Sequence, residues 1–265
     1  MTKAISLYLV SLSAVIVSSK AIADTFEITP NIYHFNYEEF STTGTSLNNE
    51  KGFLPGVKLK YSHASDNYIF TPYVSIHDGE IDYTGYTQSG QPHTTQTEEK
   101  LTQLGIEIKT TYIEAISSRI VFGVKHWEWD RNILDNNNVR GLHEIYKWNE
   151  LSVGLNFETD IKNNSLYWTN IFALHTFNPS MDLFLPNTKE SFKLGSKAGF
   201  RINAGKSWIY NKNTSYSLSV ISEYWEFGKS DFVYTNDFFG QPALLNEPAS
   251  ESLHIGLEFS YIYNF

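Results

Sequence analysis

Cysteine is absent from all 265 residues, so no disulfide contributes to stability in this chain. Basic residues are scarce: 20 Lys and Arg stand against 29 Asp and Glu, a formal charge of −9. That balance argues against nucleic acid, whose phosphates need a basic partner. Beyond the first 23 residues no apolar run approaches the roughly 18 residues of a spanning helix. The sequence also lacks a sustained helical period, an internal repeat, a low-complexity tract, a G-x-S-x-G elbow, a phosphate loop, zinc-ligand spacing and an EF-hand. No cofactor and no metal are therefore expected. The Asp/Asn-rich LDNNN at 134–138 is read as a loop.

Aromatic residues, by contrast, are abundant at 15% of the chain. The opening MTKAISLYLVSLSAVIVSSKAIAD places Lys3 before an apolar stretch from Ala4 to Val17 and then the small-x-small Ala21-Ile22-Ala23. This is the layout of a secretory signal peptide, residues 1–23, with Asp24 as the first mature residue. No cysteine follows the cleavage point, which excludes a bacterial lipid anchor. Residues 24–265 then form one β domain.

The chain closes on ESLHIGLEFSYIYNF. Counted back in twos, Phe265, Tyr263, Tyr261, Phe259, Leu257, Ile255 and Leu253 are all apolar or aromatic, while the residues between are polar or Gly except Ile262. Side chains alternate faces along a strand, so one face is greasy and the other wet. Thirteen such residues reach roughly 43 Å, enough for a tilted strand to cross a bilayer.

Similar segments recur. Strands are predicted at about 25–40, 51–63, 67–82, 98–112, 118–131, 143–158, 164–178, 189–210, 216–230 and 250–265. Apolar faces are clear at Val57, Leu59 and Tyr61; at Leu104, Ile106 and Ile108; at Leu151, Val153 and Leu155; and at Phe192, Leu194, Ala198, Phe200 and Ile202. Short connections (64–67, 113–118, 159–165, 211–215) alternate with longer ones (41–50, 84–97, 133–142, 178–190, 231–250). Pro30 and Pro72 lie inside predicted strands, where proline removes a ladder donor, so counts of eight or twelve strands stay open beside ten. Trp127, Trp129, Trp148 and Trp225 fall near the outer strand ends and Trp168 and Trp208 near the inner ends, as expected for lipid-interface girdles.

On the signal peptide and the terminal strand, the sequence resembles the small Gram-negative outer-membrane β-barrels, with a size similar to ten-stranded omptin-type proteases and Opc-type adhesins. The resemblance implies an up-and-down antiparallel transmembrane barrel in the outer membrane, in contact with lipid and lipopolysaccharide. It also implies that Phe259, Tyr261, Tyr263 and Phe265 form the signal read by the barrel-assembly machinery after periplasmic chaperones deliver the chain. A secreted soluble β protein is the rival fold.

The wet faces then line the lumen: Lys58, Lys60, Glu107, Lys109, Lys125, Glu150, Lys193, Lys197, Arg201, Glu223, His254 and Glu258. Two arrangements fit. The charges pair across a mostly filled interior, or Lys58, Lys60, Lys193, Lys197 and Arg201 form the basic side of a narrow water path. Ten strands lie near the filled end of the barrel range. A third reading is a rim hydrolase. Asp78 and Asp82 on one strand end and His175 with Asp182 on another have the residue types for water activation, but the His and Asp are seven residues apart. The surface-interaction or structural barrel is the first expectation for function, the external ligand being unspecified; a small passive channel and the rim hydrolase are the alternatives.

Overall fold

The computed structural model describes residues 23–87, 90–136, 139–161, 165–186, 188–236 and 240–265. The signal-peptide expectation, the loop aromatics Phe238 and Phe239, and residues 137–138 of the Asn-rich loop lie outside them, Ala23 apart. Among the described residues thirteen strands form: β1 (Ala23–Phe40), β2 (Ser46–Ala64), β3 (Tyr68–Tyr86), β4 (Pro92–Thr110), β5 (Arg119–Ile133), β6 (His143–Ile161), β7 (Ser165–Phe184), β8 (Lys189–Lys193), β9 (Ala198–Asn211), β10 (Thr214–Phe227), β11 (Val233–Asn236), β12 (Pro242–Leu245) and β13 (Ala249–Asn264). Each long strand pairs antiparallel with its neighbours in sequence order, and β1 pairs with β13. β8 and β9 pair with the upper and lower parts of β7 and together make one barrel strand. The result is a closed ten-stranded antiparallel barrel, in which β8 is paired on its β7 side only among the described residues. β11 and β12 form a separate hairpin in the last long loop.

Most strands run 14–20 residues, longer than expected. Much of what reads as long loop at 41–50, 84–97 and 178–190 is strand. A 19-residue strand extends roughly 60 Å, whereas the outward apolar band of an outer-membrane barrel is about 25 Å tall. The surplus has its own chemistry. Towards the end that carries the chain termini, apolar side chains face out: Ile28 and Ile32 on β1, Ile106 and Ile108 on β4, Phe122 and Val124 on β5, Val153 and Leu155 on β6. Towards the opposite end the pattern inverts. Trp127 and Trp129 on β5 and Tyr146 and Trp148 on β6 are buried inside, while His126 and Glu128 on β5 are exposed outside. The phase of the apolar alternation switches within a continuous strand. The lower half is built for lipid outside and charge inside. The upper half has a water-soluble exterior and an apolar core.

This inversion corrects the tryptophan expectation. Trp127, Trp129, Trp148 and Trp225 sit at the expected height but point into the barrel, at 0–1% exposure. Trp168 also points inward, its indole N–H donating to Ser207 Oγ at 3.2 Å. Only Trp208 of the six is exposed on the outer wall. The lower girdle is mostly tyrosine: Tyr61, Tyr68, Tyr167, Tyr210, Tyr261 and Tyr263 are exposed there.

Both prolines stay within strands. The β1–β13 ladder skips from Ile28↔Tyr261 to Asn31↔Glu258 around Pro30 without losing register. The β2–β3 ladder does the same around Pro72. Register shifts at Glu39/Phe40, at Thr214/Ser215 and at Lys147/Asn149, the last opposite a kink. Asn178 takes a left-handed conformation (φ 50°) before Pro179, and the next barrel strand breaks between Lys193 and Ala198. Thr176 ties the two sides, its N–H donating to the Lys197 carbonyl at 2.9 Å and its Oγ1 accepting from the Lys197 N–H at 2.9 Å. Phe192 and Leu194 therefore turn into the core, below the kink Arg201 turns inward, and Phe200 and Ile202 stay outside.

Candidate functional site

The lumen is the place where chemistry-bearing side chains converge. Its lower half holds an ion-paired network. Lys58 Nζ lies 2.5 Å from Glu258, which also accepts from the Tyr33 hydroxyl at 2.9 Å. Lys125 lies 2.8 Å from Glu223 and 3.2 Å from Glu150. Arg201 reaches Glu107 at 2.9 Å and Glu223 at 3.7 Å. Nearer the termini, Lys60 pairs with Glu27 at 3.1 Å, and Glu158 takes both Lys109 and Arg119. Among the described residues these are six bases and six acids. A charge taken out of water is tolerated only with a partner, and the network supplies one for each.

Above it lies an aromatic layer. Trp127 stacks on Trp148 with centroids 5.0 Å apart, Trp225 lies 5.0 Å from Trp148, and Trp129 stacks on Tyr146 at 4.6 Å. Lys125 Nζ sits 4.5 Å from the Trp127 ring centre, so a cation–π contact joins the two layers. His254 occupies the junction, its ring 4.7 Å from Phe35 and 5.7 Å from Trp225.

At the top is Arg131. It donates to Glu50 at 2.8 Å from Nε, to Glu39 at 3.0 Å from Nη1, and to Glu144. Glu99 lies beside Glu50 and accepts from the Trp129 indole. Glu247, from the loop before β13, enters from above and accepts from the Tyr146 hydroxyl at 2.5 Å. The loop itself folds down over this group. Val233 and Leu245 of the β11–β12 hairpin pack on the aromatic core. Thr235 donates to Glu190 at 2.6 Å on the far rim. None of Glu39, Glu50, Glu99, Arg131, Glu144 and Glu247 stood among the expected site residues. Their signal was spacing: Tyr37-x-Glu39, Trp129-x-Arg131 and Glu144-x-Tyr146 put a charge two residues from a buried aromatic, hence on the same face.

The expected lumen residues divide. Lys58, Lys60, Glu107, Lys109, Lys125, Glu150, Arg201, Glu223, His254 and Glu258 face inward. Lys193 and Lys197 do not: both are exposed, because the kink reverses the phase of their strand. The basic side of a water path therefore does not form; Lys58, Lys60 and Arg201 each lie against a carboxylate. The rim-hydrolase set also fails to converge. Asp78, Asp82 and His175 are exposed on the outer wall. Asp182 faces out too, bound to Lys189 at 2.8 Å and Ser191 at 2.6 Å. Residues on the outside of separate strands cannot hold one water across the mouth. A groove of about 590 Å³ does exist at the rim, where Leu142 and His143 meet Phe184 and Leu185. There His143 stacks on Phe184 at 4.7 Å and bonds Asp130 at 2.8 Å. Near the termini His63 meets Asp24 at 2.7 Å, and Ser65 Oγ donates to the Tyr68 carbonyl at 3.1 Å. Phe259, Tyr261 and Tyr263 face outward on β13, and the Phe265 N–H donates to the Asp24 carbonyl at 2.9 Å.

No protein-family model and no curated protein matches the chain. Solved structures do. The outer membrane protease OmpT from Escherichia coli superimposes with a TM-score of 0.57 at 7% identity, covering 93% of this chain and 98% of that one. The translocator domain of the autotransporter NalP from Neisseria meningitidis gives 0.42 at 6% identity over 88% and 87%. The outer membrane protein OprG from Pseudomonas aeruginosa gives 0.39 at 8% identity over 92% and 97%. At such identities likeness extends to the fold and not to the activity: this chain has the fold of the small Gram-negative outer-membrane β-barrels.

Proposed function

We propose that this protein resides in the outer membrane of a Gram-negative bacterium as a filled, non-conducting barrel whose upper half and loops form a surface for structural or adhesive contact. The observation that carries this reading is the two-layer filling of the lumen, with paired charges below and stacked indoles above. A solute path needs water-lined space through both layers, and ten strands leave little. The exterior supports the placement. Its apolar lower wall suits lipid, its charged upper wall suits water and lipopolysaccharide headgroups, and the outward aromatics up to Phe265 suit recognition by the assembly machinery. The likeness to OmpT supports the fold of this reading and not a protease, because Asp78, Asp82, His175 and Asp182 lie apart on the outer wall.

Planar-bilayer recording of the refolded, heat-modifiable protein tests the proposal. The expected result is a folded barrel that gives no conductance steps. Reproducible ion-selective steps overturn it in favour of a channel. Peptide hydrolysis lost in Asp82→Asn or His175→Ala would restore the rim enzyme.

A further inference from the structure

The two charged zones of the lumen differ in balance. Below the indoles, six bases meet six acids. Above them, Arg131 is the one base among the described residues that faces Glu39, Glu50, Glu99, Glu144 and Glu247, all buried. One guanidinium does not neutralise five carboxylates in a space closed off from water. Two of the oxygens, Glu50 Oε2 and Glu99 Oε1, are buried without a hydrogen-bond partner among the described residues. Protons are the simplest counter-charge for such a group.

One member of the group is unlike the rest. Glu247 is carried by the loop that covers the mouth, and the others stand on barrel strands. Around it are Glu39 and Tyr37 from β1, Arg131 from β5, and Glu144 and Tyr146 from β6. Among the described residues of the loop, the other charged groups, Lys229 and Asp231, are exposed. The covering segment closes on itself where the Ser230 N–H donates to the Glu247 carbonyl at 2.9 Å and Ser230 Oγ accepts from the Glu247 N–H at 2.8 Å. Anything that expels the Glu247 carboxyl thus also lifts Val233 and Leu245 from the aromatic core.

We propose that residues 228–236 and 240–248 form a proton-linked cap, which seats on the barrel mouth when Glu247 carries a proton and lifts when it loses it. Burial, then the charges of Glu39 and Glu144, hold the Glu247 carboxyl well above the usual carboxylate range in the seated state. The seated pKa exceeds the free one, so seating is strongest below the ordinary carboxylate range and weakens as pH rises towards the raised value. The cap therefore favours acid and opens towards alkaline pH, exposing an acidic, aromatic chamber.

The inference goes beyond the filled-barrel reading and tests separately from it. With no native cysteine, a single Leu245→Cys reports seating through its rate of thiol labelling. Tyr234→Cys, at an 87% exposed position, corrects for the thiol's own ionisation. In folded protein in detergent micelles, the ratio of the two rates is expected to rise at least ten-fold from pH 4.5 to pH 9. Adding Glu247→Gln, which keeps an acceptor for Tyr146, is expected to hold the ratio low throughout. Glu39→Gln, which removes a facing charge, should flatten the rise. A ratio flat with pH, a rise undiminished in Glu247→Gln, or a cap lifted at all pH in that variant each overturns the proposal. The ion-paired layer below stays shut with the cap raised. A failed labelling experiment therefore leaves the filled lumen standing, and conductance counts against the filled lumen alone.

Discussion

Single side chains decide the stability of this lumen because so many are charged and dry. Arg131 makes the point most sharply, donating to Glu39, Glu50 and Glu144 in a region with no other base among the described residues. Removing one partner of a buried ion pair typically costs about 3–5 kcal/mol, since the other charge stays behind. Arg131→Leu is expected to destabilise the barrel by at least that much in urea titration in micelles at pH 7. The loss should shrink in acid, where the stranded carboxyls take up protons. Arg131→Lys should lie between, keeping the charge but losing the fork that spans several carboxylates. A Leu variant as stable as the parent at pH 7 would mean the carboxyls are already neutral and the guanidinium incidental. Lys125→Ala is expected to behave alike, stranding Glu150 and leaving Glu223 with the 3.7 Å Arg201 contact.

At the scale of the strand, the organising feature is the phase switch from apolar-out to apolar-in. It locates the bilayer on the wall, and a pair of substitutions tests that location. Val153 sits in the exposed apolar band, and Asp78 lies on the outer wall above it. Val153→Arg is expected to cost about 2–4 kcal/mol in lipid, as a midplane arginine does, while Asp78→Arg should change stability by under about 1 kcal/mol. Equal costs would place the membrane elsewhere. The kink gives a second test. A Cβ on Gly195 would lie 2.9 Å from the Gly228 Cα, so Gly195→Ala should destabilise by about 1–3 kcal/mol through overpacking, read as a lowered urea midpoint. The sequence spoke clearly here in part. Period-two alternation revealed the ten barrel strands and several of their lipid faces, because that signal is local, but it put Phe192 and Leu194 outside where they turn inward. The switch was also written in it: Phe122 and Val124 are even, Trp127 and Trp129 odd. Indole suits a lipid interface as well as a core, so composition alone did not choose between them. Lys193 and Lys197 were misplaced because their facing depends on Thr176 and Gly228, partners remote in sequence. The cluster at Arg131 was hidden for the same reason: Glu39 and Glu144 are 105 positions apart in the chain.

For the whole molecule, the two halves of the barrel answer to two solvents, and each fills its interior by the opposite rule. Where lipid surrounds the wall, the apolar residues go outside and the lumen must hold the polar ones, which the six-to-six pairing satisfies. Where water surrounds it, the indoles turn inward and form a buried aromatic layer beneath the Arg131 cluster. The layers share no ion pair among the described residues, only the Lys125–Trp127 contact and the His254 junction. Each should therefore obstruct the lumen independently. Trp127→Ala with Trp148→Ala, which hollows the upper layer, is expected to leave planar-bilayer recordings silent. Replacing Lys125, Glu150 and Glu223 by serine, which loosens the lower layer, should do the same. Only their combination should conduct. Steps from either set alone would show that a single layer does the blocking, and the other half of the lumen would then be a vestibule open to one side of the membrane.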